Sequence, residues 1–262
     1  MKLSISNIAW DSEKDKQVYE LMKTYGYVGL EIAPTRVFPE HPYDELLAAK
    51  EFARELYNTY EFQISSMQSI WYGRSERIFG SDKERDILAE YTQKAIDFAA
   101  TMKCKNIVFG CPKNRSIPDG ANINNAVSFF RKLGEYACKR GTVIGMEANP
   151  AIYNTNFIND TLSAIELIKE VNSRGFLLNL DIGTVIANSE SLDELVDKVN
   201  LINHVHISEP YLKLVEQREL HKDLAQVLKM NNYDKFISIE MGKVQDISDV
   251  ENTLAYVSKI YA

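Results

Sequence analysis

The chain has 262 residues, 45% hydrophobic and 26% charged, which supplies core material for one large α/β domain or two small ones. A formal charge of -7 and a pI near 5.3 weigh against a nucleic-acid backbone as partner, because such binders usually present a basic face. No window approaches the roughly 18 apolar residues needed to cross a membrane, and "MKLSISNIAW" lacks the apolar stretch of a signal peptide, so the expected location is cytoplasmic.

In chain order, short β-branched runs alternate with longer helical patterns. The expected strands of the first half are "LSISNIA" from Leu3, "VGLEI" from Val28, "FQISS" from Phe62 and "NIVFG" from Asn106. Those of the second half are "VIGME" from Val143, "FLLNLD" from Phe176, "HVHIS" from His204 and "FISIE" from Phe236. Between them lie segments with apolar residues at three- and four-residue steps, such as "ERDILAEYTQKAIDFAATM" and "AVSFFRKLGEYACKR". "NDTLSAIELIKEV" opens on a cap signal at Asn159–Asp160–Thr161, and "DISDVENTLAYVSKIYA" closes the chain as a last helix. No linker, repeat or low-complexity tract divides residues 1–262. Strict βα alternation implies parallel strands with helices outside, and eight such units in this length predict a single-domain (β/α)8 TIM barrel. The competing doubly wound sheet usually carries a glycine-rich fingerprint after its first strand, and "SNIAWDSEK" has none. Cys104, Cys111 and Cys138 lack metal-knuckle spacing and read as free thiols in a reducing compartment.

In a barrel the chemistry belongs at the C-terminal ends of the strands. Four successive strands end there on a metal-ligand side chain: "VIGMEANP" on Glu147, "LLNLDIGT" on Asp181, "HVHISEP" on His206 and "FISIEMG" on Glu240. Taken singly, a strand-end acid is more often a helix cap or a partner for an arginine, and a lone histidine is more often a core residue. Taken together, three carboxylates converging without a counter-charge would repel and hold protons. A divalent cation removes that problem, and one imidazole with three carboxylates suits Mn²⁺ or Mg²⁺, with Co²⁺ or Zn²⁺ as alternatives.

With "GMEANP", "LNLDIGT", "HVHISEP" and "SIEMG" in place, the whole chain resembles the xylose isomerase-like TIM-barrel family of sugar isomerases and epimerases. Ketose 3-epimerases, hydroxypyruvate isomerases and, more distantly, apurinic endonucleases are its relatives. The resemblance implies one divalent metal ion on Glu147, Asp181, His206 and Glu240, a small sugar chelated on its open positions, and Glu147 and Glu240 as the acid/base pair. It also leaves room for a homo-oligomer of unfixed size. Relatives often carry a histidine three residues after the strand-six aspartate; here that place is Thr184, whose hydroxyl is expected to meet a substrate oxygen.

Other rim residues are expected to bind substrate. "SSMQSIWYGR" offers Gln68, Trp71 and Tyr72, with Trp71 equally a packing residue or an oligomer contact, and "GCPKNR" offers Lys113, Asn114 and Arg115 for a substrate acid or phosphate, or else as solvated loop residues. His221 in "QRELHKDLAQVL" resembles a family histidine that points into the pocket, or else caps a helix. Glu31 and Arg36 in "EIAPTR" are charges for a substrate acid or phosphate, or else solvated loop charges, and Glu209 receives no catalytic role. The loops after strands seven and eight, "ISEPYLK" and "EMGKVQD", contain one glycine, which disfavours a phosphate cradle. The expected reaction is proton transfer next to a carbonyl through an enediolate. A dehydratase on the same scaffold and a non-catalytic sugar-binding barrel are the alternatives. Cleavage of damaged DNA is disfavoured, because that chemistry uses several more histidines than the four present.

Overall fold

The computed structural model describes all 262 residues. The strands are β1 (Lys2–Ser6), β2 (Gly29–Ile32), β3 (Gln63–Met67), β4 (Ile107–Phe109), β5 (Ile144–Met146), β6 (Phe176–Asp181), β7 (Ile202–Ser208) and β8 (Phe236–Glu240). All are parallel, neighbours in the sheet follow chain order, and β8 bonds back to β1 to close the barrel. Each strand starts within two residues of its expected position. A closed ring leaves no edge strand, which an open doubly wound sheet would have.

The helices are α1 (Asp15–Thr24), α2 (Pro34–Val37), α3 (Leu46–Tyr60), α4 (Asp82–Thr101), α5 (Pro112–Arg115), α6 (Asn124–Arg140), α7 (Thr161–Val171), α8 (Ile182–Asn188), α9 (Glu219–Met230) and α10 (Ile247–Tyr261). Two of them, α2 and α5, are single turns inside the loops after β2 and β4, each opened by a proline at its first position, where the missing N–H costs nothing. The cap signal before α7 is real: Asp160 Oδ1 accepts from the Ser163 N–H at 2.8 Å. The helices pack on the strands through one hydrophobic cluster that includes Ile5, Leu30, Ile32, Leu178, Leu180, Val205, Ile207, Ile237 and Ile239. No helix is long and apolar enough to cross a membrane.

These apolar residues alternate along their strands with polar ones, and the polar set fills the barrel. Asn179 and Asp181 on β6, His204, His206 and Ser208 on β7, and Ser238 and Glu240 on β8 share one parity. The register sets them side by side: Asp181 is paired with His206, Ser208 with Glu240, and Ser6 with Glu31. TIM-barrel interiors are usually layers of Val, Ile and Leu; here the layers are amides, hydroxyls and imidazoles joined by hydrogen bonds. Asn106 Nδ2 donates to Ser66 Oγ at 2.9 Å and to Asn179 Oδ1 at 3.1 Å, while its own oxygen accepts from Asn203 Nδ2 at 2.9 Å.

Room for this asparagine pair comes from Gly145 on β5. A Cβ there would lie 2.7 Å from Asn106 Oδ1 and 3.0 Å from the Asn179 Cβ. Gly145→Ala is therefore expected to cost about 1–3 kcal/mol, the usual range for overpacking, read as a lower urea midpoint with an unchanged slope.

Candidate functional site

Asp181, His206 and Glu240 stand on β6, β7 and β8, and Glu147 is the first residue beyond β5. One ligand atom from each lies within 4.8 Å of all the others. His206 Nδ1 is 3.0 Å from Glu147 Oε1 and 3.1 Å from Glu240 Oε2. The His206 side chain is fully buried, whereas those of Glu147 and Glu240 keep 10% and 13% exposure, so the cluster opens to solvent only on its carboxylate side.

Each acid is held from behind. Asn179 Nδ2 donates to Glu147 Oε1 at 2.9 Å, and Asn149 Nδ2 reaches Glu147 Oε2 at 3.3 Å. Asp181 doubles as the N-cap of α8: its Oδ2 accepts from the Thr184 N–H at 2.8 Å, and its Oδ1 accepts from the Ser208 hydroxyl. The cap reading and the ligand reading of this aspartate are thus compatible. Gln68 finds donors and acceptors when its amide nitrogen faces the acids. It then donates to Glu240 Oε1 at 2.5 Å and to Glu31 Oε1 at 3.0 Å, and its carbonyl accepts from Ser6 Oγ at 3.1 Å. On the far side of the imidazole, His206 Nε2 is 3.0 Å from Glu31 Oε2.

Electrostatics follow from this crowding. Burial raises the pKa of Glu147, and the Glu240 charge adds to it. Burial and the Glu147 charge push Asp181 up to about 6, and burial likewise raises Glu240. Burial alone would depress His206, but Glu31, Glu240 and Glu147 outweigh it and hold its pKa well above the usual imidazole range. Burial would raise Glu31, yet His206 and His204 hold it well below the usual carboxylate range. The raised carboxyls arise from burial and from negative charge gathered at one place, and the shifts of His206 and Glu31 from their facing each other there. A dication meets that imbalance, and the donor set fits: oxygen-rich, with one imidazole nitrogen facing the carboxylates.

A family model described as "Xylose isomerase-like TIM barrel" matches residues 19–258. The chain belongs to this family. Among solved structures, this xylose isomerase-like barrel is similar to D-psicose 3-epimerase of Clostridium cellulolyticum H10, at 14% identity and a TM-score of 0.77 over 100% of this chain and 99% of that one. The 3-keto-D-glucoside 4-epimerase of E. coli aligns at 17% identity and a TM-score of 0.74, covering 99% of each chain. A family 2 AP endonuclease from Brucella melitensis aligns at 18% and 0.73, again covering 99% of each. No curated protein matches the chain in sequence. At these identities the likeness carries the fold alone.

Several residues expected to meet substrate are committed elsewhere in this xylose isomerase-like barrel. The Thr184 hydroxyl lies 2.9 Å from the Ala148 carbonyl and 2.8 Å from Asp181 Oδ2, so it braces the aspartate. Arg115 is fully buried and donates to the carbonyls of Glu147 at 2.7 Å and Ile158 at 3.1 Å, which fixes the backbone under Glu147. Asn114 Nδ2 ties down the Arg74 and Glu76 carbonyls. Lys113 is the one member of that triplet left at the surface. Trp71 packs edge-on against Phe109 and donates to Thr92, while Tyr72 is exposed. Arg36 pairs with Asp15, and Glu209 takes a two-pronged bond from Arg218. His221 lies inside α9, where its Nδ1 is 2.9 Å from the Tyr256 hydroxyl of α10. It makes no side-chain cap bond for the helix.

Sequence reading passed over Asn149, Asn179 and Tyr153. Asn179 was visible as a polar residue sharing parity with Asp181 in a strand that parallel packing would otherwise make wholly apolar. Tyr153 had no signal. Its hydroxyl accepts from the Tyr211 N–H at 2.7 Å, and burial, with the charges of Asp181, Glu240 and Glu147, raises its pKa.

The placement of His221 has a measurable consequence. Burial lowers its pKa to about 4, and its Nε2 has no partner, so it folds neutral. Between the unfolded value near 6.5 and 4 the unfolded chain binds more protons, and stability falls as pH falls. His221→Gln should flatten thermal stability against pH over this window, removing up to about 3 kcal/mol of acid loss at 1.36 kcal/mol per unit.

Proposed function

We propose that this protein is a divalent-metal-dependent sugar isomerase or epimerase that moves a proton at a carbon next to a carbonyl, through an enediolate. The observation that carries this reading is the meeting of Glu147, Asp181, His206 and Glu240 at one end of the barrel axis. Those four residues would hold the ion. When bound, a divalent cation supplies Lewis-acid polarisation of a substrate carbonyl and its neighbouring hydroxyl.

The remaining chemistry falls to the chain. Glu147 and Glu240 are the candidates to take and return the carbon-bound proton, because burial raises both toward the range where a carboxyl can act as base and then as acid. Asn179, Asn149 and Gln68 restrict those carboxylates to one orientation, so the cost of aligning them is met in folding rather than in each turnover. Tyr153, with its oxygen already accepting from the Tyr211 N–H, keeps its own proton for a substrate oxygen. Return of the proton to the opposite face gives epimerisation, and return to the adjacent carbon gives aldose–ketose isomerisation.

A dehydratase shares the first half of this path, and the barrel also aligns with a probable 3-DHS dehydratase from Bacillus anthracis at a TM-score of 0.67. Phosphodiester cleavage by a zinc cluster is less well supported. Of the four histidines only His204 and His206 lie near the acids, while His41 sits in the loop after β2 and His221 on α9.

The test is solvent-deuterium incorporation into a panel of ketoses and keto-sugars with Mn²⁺ or Mg²⁺ present. Wild type should label one carbon-bound position of at least one sugar, and Glu147→Gln and Glu240→Gln should each slow labelling by about 10²-fold or more. Label appearing with loss of water would give the dehydratase. No labelling across the panel by metal-loaded protein would leave a binding protein.

A further inference from the structure

We infer that Glu31 is a positioning residue for the proposed ion, fixing two of its four ligands at once, His206 directly and Glu240 through Gln68. This rests on the metal-site reading above and adds to it a residue that touches neither ion nor substrate.

Glu31 lies in the short strand β2, and its fully buried side chain reaches His206 on β7. Its two oxygens do different work. Oε2 sits 3.0 Å from His206 Nε2, and Oε1 accepts from the Gln68 amide at 3.0 Å. The other amide proton of Gln68 goes to Glu240 Oε1 at 2.5 Å, and its carbonyl is taken by Ser6. A carboxylate at Nε2 requires a proton on that nitrogen, which leaves Nδ1 as the ring position able to offer a lone pair. That is the nitrogen facing Glu147 and Glu240. Glu31 therefore decides which imidazole nitrogen can bind an ion and, one hydrogen bond further on, where the Glu240 carboxylate is held. Carboxylates behind metal-bound histidines raise ligand basicity and fix ring orientation; here one carboxylate also reaches a second ligand.

Glu31, His204 and His206 are near enough to form a ligand trio of their own. Their existing partners argue for a bracket instead. His204 Nε2 lies 2.9 Å from Ser238 Oγ and 3.4 Å from Glu31 Oε2, Gln68 occupies the other Glu31 oxygen, and all three side chains are buried without an opening.

Two acceptor oxygens are needed, which makes Glu31→Gln a sharp test although it is isosteric. If the introduced amide turned its oxygen to His206, its NH₂ would face the NH₂ of Gln68. If it turned the other way, it would demand an unprotonated Nε2 and so place the proton on Nδ1. Either orientation breaks one arm.

Mn²⁺ affinity, measured by the electron paramagnetic resonance of free Mn²⁺, should fall about 10–100-fold in Glu31→Gln. Visible absorption of the Co²⁺-loaded protein should change with it. Gln68→Leu keeps the His206 bond and loses the arm to Glu240, so its Mn²⁺ affinity should fall by a smaller factor of about 3–10, below the usual loss for a direct partner of a ligand. Thermal denaturation of the metal-free variants separates these effects from simple destabilisation. A folded Glu31→Gln that binds Mn²⁺ within about threefold of wild type overturns the inference. Should that variant not fold, unchanged affinity in Gln68→Leu overturns it instead. Wild type that takes up no Mn²⁺, Mg²⁺, Co²⁺ or Zn²⁺ would overturn the metal site itself, a different result from a wild type that binds tightly and a variant that binds equally well.

Discussion

Everything at the mouth of this barrel answers to the crowding of carboxylates around a single imidazole. Glu147, Asp181 and Glu240 bring oxygens within 4.8 Å of His206 and of one another. At an effective dielectric near 20, two unit charges at about 4 Å repel by roughly 4 kcal/mol. Several such pairs rival the whole stability of a domain, usually about 5–15 kcal/mol. The structure meets this repulsion with raised carboxyl pKa values, an imidazole held toward its charged form and a ring of amide and hydroxyl donors. The same needs that create the strain make the place suitable for a cation.

The cost of building such a site shows in the composition of the barrel interior. A shell of Val, Ile and Leu would have been simpler to pack, but buried carboxylates need donors, and the donors need acceptors in turn. Hence the chain from Asn203 through Asn106 and Asn179 to Glu147, and the bracket of Glu31, Gln68 and Ser6 behind Glu240. A network of this kind holds its members in one arrangement only if each is satisfied. Gly145 belongs to it by omission, since a side chain there would occupy the space the asparagines need.

Much of this was legible before the fold was known. Alternating β-branched and amphipathic runs required parallel strands with helices outside, and the four strand-end residues stood out because ligand types recurred once per unit. Less legible was the division of labour around them. Gln68, Thr184 and Arg115 have side chains suited to sugar hydroxyls, and nothing local says that each is already engaged by a carboxylate or a carbonyl. Glu31 looked like one more loop acid, because its partners, Gln68 and His206, lie far along the chain.

The amino-acid sequence by itself determined the period of the elements, the count of eight βα units and the identity of the four residues at successive strand ends. Those follow from short-range rules, hydrophobic spacing and the repeat length of one unit. Only the tertiary structure decided which polar side chains face the mouth and which spend their hydrogen bonds on one another. That outcome depends on register between strands, where Asp181 meets His206 and Ser6 meets Glu31, and register is set by the packing of the whole ring.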